Sequence, residues 1–241
     1  MAPAFLSEVE LYYTNQPSVG NLISIEGEEC HHITNVMRHK IDDILYVTDG
    51  KGTIHKSTIS VIEKNKVVAA IAESTKYDNK FSNIWFCVPR LRSADRFEFA
   101  LEKSVELGIT NFIVFDSQRT VAKGEKIERW GKILLAAMKQ SLRAWLPKIQ
   151  YVKSINEIVK LDGTKILFDQ NAEQTFQSFL PTLNSQFSIL NCFFIFGPEG
   201  GFTNEECRVL NEERTLRLTE NRLRSETAIV AAASILAANI L

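Results

Sequence analysis

Residues 189–206 read Ile-Leu-Asn-Cys-Phe-Phe-Ile-Phe-Gly-Pro-Glu-Gly-Gly-Phe-Thr-Asn-Glu-Glu. Ile189–Phe196 is an apolar run of strand length, rich in aromatic and branched side chains, as expected of a strand buried on both faces. It ends at once in Gly197-Pro-Glu-Gly-Gly201, and Thr203-Asn-Glu-Glu206 then carries the spacing of a helix-opening capping box. A buried strand, a glycine-rich turn and a capped helix form half of a βαβ unit. In open α/β sheets that place, the carboxyl end of a strand, is where ligands bind. The loop lacks the Gly-Lys-Ser/Thr of a phosphate-binding P-loop and is not a G-x-G-x-x-G fingerprint. A purely structural tight turn is the competing reading.

Working outward, the second two-thirds of the chain repeat this strand-then-helix alternation. Ile84–Val88, Phe112–Phe115, Lys165–Asp169 and Thr215–Leu218 read as strands. Asp95-Arg-Phe-Glu98 opens a helix with Asp95 as its expected cap, Phe97, Leu101 and Val105 recur on one face, and Gly108 ends it. Lys126–Ala144 reads as a long amphipathic helix, and an apolar run from Ala228 to Leu241 as a buried C-terminal one. The pattern predicts a largely parallel sheet covered by helices. The first third differs. Glu10–Tyr13, Asn21–Ile25, Asp43–Thr48, Thr53–Ile62 and Val67–Glu73 read as short strands, interrupted by one helix near Glu28–Arg38. Asp49-Gly-Lys-Gly52 is a hairpin turn, and the set predicts a small barrel. A polar stretch from Ser74 to Lys80 reads as a linker. The expected division is 1–73 for the barrel, 74–82 for the linker and 83–241 for the α/β domain.

The chain has 241 residues, 45% hydrophobic and 24% charged, which is enough to bury a core and excludes extended disorder. The formal net charge of −1 hides a polarised distribution. Residues 77–150 hold 13 Lys/Arg against 8 Asp/Glu, whereas both flanking blocks are acidic. Arg119–Lys148 alone holds eight basic residues opposed by Glu125 and Glu128. Either a solvated helix face or a nucleic-acid surface fits this, so the overall balance excludes neither. Cys30, Cys87, Cys192 and Cys207 are isolated, and His31-His32 with His39 lacks a second ligand pair. Neither disulfides nor a metal site is expected. The opening Met1-Ala-Pro-Ala-Phe5 has no basic, then apolar, leader pattern. The 14 residues of the C-terminal run fall short of the ~20 that cross a bilayer. These readings expect a cytoplasmic protein without a membrane association.

A second strand-to-helix loop, Asn221-Arg-Leu-Arg-Ser-Glu-Thr227, lies about 20 residues beyond the first, and the two could line one cleft. No G-x-S-x-G is present and all four histidines lie in the first 55 residues, so a hydrolytic triad has no support.

Taken together, five segments in order resemble the RsmE family of ribosomal RNA uridine-N3 methyltransferases, within the SPOUT superfamily. They are His32-Ile-Thr-Asn-Val-Met-Arg38, Glu102-Lys-Ser-Val-Glu-Leu-Gly108, Gln140-Ser-Leu-Arg143 with Pro147, Gly197-Pro-Glu-Gly-Gly-Phe202, and Leu223-Arg-Ser-Glu-Thr-Ala228. The resemblance implies a PUA-like RNA-binding barrel followed by a SPOUT α/β domain with a C-terminal trefoil knot, acting as a homodimer. It implies S-adenosyl-L-methionine surrounded by Phe168, Phe196, Gly197, Pro198, Glu199, Gly200, Gly201, Leu216, Leu218, Leu223, Thr227 and Ala228. It also implies 16S ribosomal RNA or the small ribosomal subunit as partner, held by His32, Arg38, Arg119, Arg129, Lys132, Gln140 and Arg143. Methyl transfer would be an in-line attack by uridine N3, with Arg224 stabilising the uracil anion and Glu226 as the candidate base. Lys139 and Ser93 depart from the family's common residues, an acid and a lysine. The alternatives are a related methyltransferase acting on a ribose 2′-hydroxyl or a purine nitrogen, a non-catalytic RNA-binding protein, and a metabolic α/β enzyme.

Overall fold

The computed structural model describes residues 9–186, 190–210 and 214–239. The expected start of the central strand at Ile189, the last two residues of the C-terminal run and the leader reading at Met1–Phe5 lie outside them. The chain divides into two compact units. One takes the residues up to Asn79 together with Met138–Leu146, and the other takes Lys80–Ala137 and the residues from Pro147 onward.

The first unit is a five-stranded sheet built from β1 (Leu11–Tyr13), β2 (Leu22–Glu26), β3 (Ile44–Thr48), β4 (Thr53–Glu63) and β5 (Lys66–Lys76), in the order β1-β3-β4-β5-β2. Only β1 and β3 run parallel. The sheet curls until its two edges meet, where the Thr14 hydroxyl donates to the Ser24 carbonyl at 2.7 Å. Ile23, Ile25, Leu45, Val47, Ile59, Val67 and Ala69 fill the inside, which is the period-2 alternation of the sequence made physical. The expected helix is shorter: α1 (Gly27–His31) passes into a single π turn, His32–Val36. β5 also runs through Ser74-Thr75-Lys76, read from sequence as linker. Their side chains are polar, but a strand pairs through its backbone, and Ser74 sits opposite His55 with 2.8 Å between Oγ and Nδ1.

Distant in sequence, Met138–Leu146 packs with this unit. The Gly52 N–H donates to the Ala144 carbonyl at 2.9 Å, and the Trp145 indole N–H donates to the Tyr77 carbonyl at 2.8 Å. Lys139, one of the two family departures, is ion-paired with Glu29.

The second unit is a six-stranded, wholly parallel sheet. Its strands are β6 (Ile84–Pro89), β7 (Asn111–Phe115), β8 (Lys148–Val152), β9 (Thr164–Phe168), β10 (Cys192–Ile195) and β11 (Arg214–Leu216), ordered β11-β9-β10-β6-β7-β8. The helices are α2 (Ala94–Glu106), α3 (Ile127–Gln140), α4 (Ile155–Val159), α5 (Phe176–Gln186), α6 (Asn204–Val209) and α7 (Ser225–Asn239). Ile155, Ile158 and Leu210 cover one face of the sheet over Cys87, Ile113, Phe193 and Ile195. On the other face Phe86, Phe168, Phe176, Phe194 and Phe196 form a continuous set of ring contacts at 5.0–5.7 Å. Both faces are apolar, as a covered parallel sheet requires.

Two helix ends differ from expectation. Ser93, the other family departure, is the cap of α2 and accepts the Arg96 N–H at 3.4 Å, while Asp95 sits inside the first turn. α3 stops at Gln140 rather than Ala144, because Leu142 takes a left-handed φ of 56° and turns the chain away. No helix among the described residues is long and apolar enough to cross a membrane.

Candidate functional site

The carboxyl ends of β9, β10 and β11 open into one cavity of about 420 Å³. That volume lies in the range of small-molecule and cofactor sites. Three loops wall it. The first, at the end of β9, supplies Phe168, Asp169 and Asn171; the second is the glycine-rich turn; the third runs from Leu218 to Arg224 and passes into the first turn of α7, which adds Ser225 and Ala228.

Local bonds fix each loop. The Asp169 N–H donates to the Leu216 carbonyl at 3.0 Å, joining the first loop to β11. In the glycine-rich turn, the Gly201 N–H closes back on the Pro198 carbonyl at 2.9 Å, with Gly201 at φ 67°, a left-handed conformation that L side chains resist. Gly200 faces away from the cavity. A Cβ there would lie 3.2 Å from the Arg119 Cβ, a tight approach that glycine relieves where Arg119 donates its Nη1 to the Gly200 carbonyl at 2.9 Å. The Ser225 hydroxyl, at the start of α7, donates to the Gly197 carbonyl at 2.8 Å and ties the third loop to the second. The Glu199 carboxylate accepts the Arg92 N–H at 3.1 Å, tying the turn to the segment before α2.

The capping box read from sequence is present. Thr203 accepts the Glu206 N–H at 3.2 Å and Glu206 accepts the Thr203 N–H at 2.8 Å. The same buried carboxylate also accepts the Ser117 hydroxyl at 2.9 Å and the Gln118 N–H at 3.0 Å. It therefore anchors the loop that delivers Arg119 to the glycine-rich turn. Burial alone would raise the Glu206 carboxyl, but these donors outweigh it and hold it below the ordinary glutamate value. Its contribution to stability is therefore complete above about pH 4.3, the unfolded value, and is lost as pH falls through the folded one. Glu206→Ala removes these charge-assisted bonds and leaves buried donors unpaired. It is expected to cost roughly 3 kcal/mol and to flatten the acid limb of the stability profile, measured by urea unfolding from pH 3 to 7.

The expected site residues fall into distinct sets. Phe168, Gly197, Pro198, Glu199, Gly201 and Leu218 line the cavity. So do Leu223, Ala228 and Arg224. Five do not. Phe196 and Leu216 are buried behind the wall, Phe196 stacked on Phe168 at 5.0 Å. Gly200 faces Arg119. Thr227 is exposed on α7. Glu226, the candidate base, turns toward α2, with Arg96 Nε at 3.6 Å from Oε1 and Oε2 buried without a hydrogen-bond partner among the described residues. Sequence reasoning missed Asp169, Asn171 and Thr219 on the wall, while Phe202 and Arg222 lie on the two loops expected to line one cleft. The strand-end rule, applied to Lys165–Asp169 as it was to the glycine-rich turn, flags the first two.

The residues expected to hold RNA divide between the units. In the first, Arg38 is exposed at φ 58° and Gln140 is exposed at the end of α3. Arg143 follows two residues after Ser141, and burial lowers its guanidinium. His32 packs its ring on the buried Tyr12, 6.0 Å between centroids, with Glu10 3.9 Å from Nδ1. In the second unit, Arg129 is committed to Glu98 through Nε at 2.6 Å and Nη2 at 2.8 Å, whereas Lys132 is exposed. No group of three or more metal-ligating side chains occurs among the described residues.

Comparisons with known proteins bear on both units. Residues 79–237 match the model of an RNA methyltransferase domain, and residues 25–72 that of an RNA methyltransferase PUA domain. The chain is 31% identical over 221 residues to the ribosomal RNA small subunit methyltransferase E of Bacillus subtilis (strain 168), with 85% of each chain covered. It is 29% identical over 205 residues to the protein of that name from Rickettsia conorii, covering 84% of this chain and 83% of that one. Among solved structures it resembles a ribosomal RNA small subunit methyltransferase E from Neisseria gonorrhoeae bound to S-adenosyl methionine. The TM-score is 0.82 at 28% identity, over 95% of this chain and 96% of that one.

Proposed function

The chain belongs to the ribosomal RNA small subunit methyltransferase E family, and from that membership we propose that its cavity takes S-adenosylmethionine and that it methylates N3 of a uridine in 16S ribosomal RNA. The observation that carries this reading is the cavity shared by three strand ends, with Arg224 on its wall. The residues suit the cofactor. Leu167, Phe168, Leu218 and Leu223 offer an apolar surface that would hold a purine, and Asp169 and Glu199 are carboxylates on the wall that would favour a cationic group. When bound, the cofactor supplies an activated methyl group.

The protein's share is alignment and charge. Uridine N3 becomes nucleophilic by losing its imide proton, and the negative charge spreads to O2 and O4. Arg224 is the cation on the wall that the reading assigns to stabilising that charge. Glu226 is engaged by Arg96, so the proposal assigns it the alignment of α7 on α2.

The same reading includes a trefoil knot. It is supported by β11 lying outside β9 while Ser225 returns to the Gly197 carbonyl. It includes a homodimer. In its favour, α7 is apolar nearly all round, Val230, Ala231 and Ile235 are only partly covered, and Phe99 on the neighbouring α2 is 49% exposed. It assigns RNA binding to residues 1–73, catalysis to 83–241, and the cytoplasm as location.

The test is methyl transfer from labelled cofactor to small ribosomal subunits, followed by nucleoside analysis. Label in 3-methyluridine is expected. Label in a 2′-O-methyl nucleoside or a methylated purine would redirect the chemistry, and cofactor binding without transfer would favour a non-catalytic role.

A further inference from the structure

Arginine is concentrated at the cavity and lysine is absent from its wall. Arg222 and Arg224 line it. Arg119 holds the glycine-rich turn through the Gly200 carbonyl, and Arg92, whose side chain lies off the wall, holds Glu199 by its backbone N–H. These four come from three different loops: the segments before α2 and α3, and the one before α7. All four are exposed. Among the described residues no carboxylate pairs with the guanidinium groups of Arg92, Arg222 or Arg224, and Arg119 spends Nη1 on a neutral carbonyl. Other arginines nearby are neutralised, Arg96 by Glu226 and Arg129 by Glu98.

Guanidinium groups without a carboxylate partner, gathered on the loops that wall one cavity, attract an anion with more than one charge. A base can meet a methyl donor inside a cavity only after leaving its stack. Its two flanking phosphates are then left at the mouth. Guanidinium is suited to them, because its planar fork donates two hydrogen bonds to one phosphate. We propose that Arg92, Arg119 and Arg222 form a phosphate clamp at the cavity mouth, holding the RNA backbone on either side of an unstacked nucleotide. The clamp rests on the reading that this cavity is the methyl-transfer site and extends it to single-stranded or looped-out RNA. It adds Arg92 and Arg222 to the RNA-contacting set and places Arg119 there with a second duty, since it also fixes the glycine-rich turn.

The test uses the full-length protein with a fluorescein-labelled single-stranded RNA oligonucleotide, titrated from 50 to 300 mM KCl. Arg92→Gln/Arg222→Gln is expected to weaken RNA binding about tenfold at 100 mM and to reduce the salt slope by about 0.7 for each phosphate no longer neutralised. For Arg92→Gln alone, whose side chain lies off the cavity wall, the Kd for S-adenosylmethionine, by calorimetry, is expected to stay within twofold. With small ribosomal subunits the KM rises more than kcat falls. Arg92→Gln alone gives the smaller effect of a single phosphate and checks the double variant, because its side chain lies off the wall. An unchanged salt slope overturns the clamp. So does an equal loss of cofactor affinity, which would assign these arginines to the cofactor. If the wild type makes no 3-methyluridine while the slope still responds to both arginines, the position of methylation is refuted and the clamp stands.

Discussion

Arg224→Ala is expected to lower kcat by about 10²–10³-fold while leaving cofactor affinity nearly intact. The magnitude is that of removing one donor aimed at developing charge. The reasoning starts from the substrate. An imide nitrogen is a poor nucleophile while protonated, and the carboxylates nearest the site are engaged: Glu226 with Arg96, Asp169 on the Asn171 N–H and Glu199 on the Arg92 N–H. What remains is to make the proton easier to lose. A guanidinium beside O2 or O4 does so by stabilising the anion, which lowers the pKa of the bound base. Two consequences follow. The defect of the variant shrinks as pH rises, since hydroxide then does what the arginine did. Arg224→Lys recovers only part of the loss, because an ammonium restores the charge and not the planar fork. Single-turnover rates from pH 6.5 to 9.5, with cofactor Kd measured in parallel, decide it. Equal losses in Kd and rate, or a defect that stays constant with pH, would show that Arg224 supports the loop and not the anion.

How much of this was legible in the sequence depends on distance along the chain. The glycine-rich turn and the Thr203–Glu206 box are local patterns found where they were read, and the C-terminal helix begins at Ser225, three residues before the apolar run that signals it. β8, α4 and α5 were missed for local reasons too. β8 is an edge strand that alternates Lys148, Gln150 and half-buried residues, α4 is five residues long, and α5 carries Pro181 inside it. What no local pattern could reveal is which charges are spent. Arg129 looks like a phosphate ligand on a basic helix, but its partner Glu98 lies 31 residues away on α2. Arg119 looks the same, and its carbonyl partner is 81 residues away. Glu226 stands beside a catalytic candidate in sequence, yet the first turn of α7 carries it to the opposite side from Arg224 and onto α2. Helical geometry separates neighbours by ~100°, so adjacency in a motif does not mean a shared site.

Phe196 shows the same principle in the core and gives the largest expected effect on folding. It is 1% exposed, lies 5.0 Å from Phe168 with the rings 22° from parallel, and touches Phe86 at 5.1 Å. Phe168 in turn lines the cavity. Phe196 therefore reaches a ligand only through Phe168, as the support behind a wall. Phe196→Ala deletes a ring from a close-packed aromatic layer and should cost about 3–5 kcal/mol. That corresponds to a fall in Tm of roughly 10 °C for a chain of this size. The vacancy also lets Phe168 sink away from the cavity, so the Kd for S-adenosylmethionine is expected to rise about tenfold. Phe196→Leu refills most of the volume and should recover most of both losses. Thermal unfolding and calorimetric titration of the two variants separate the possibilities. If Phe196→Ala is destabilised but binds the cofactor as tightly as the wild type, Phe168 is held by Phe176 and Phe194 alone, which contact it at 5.2 and 5.6 Å, and the wall does not depend on what lies behind it.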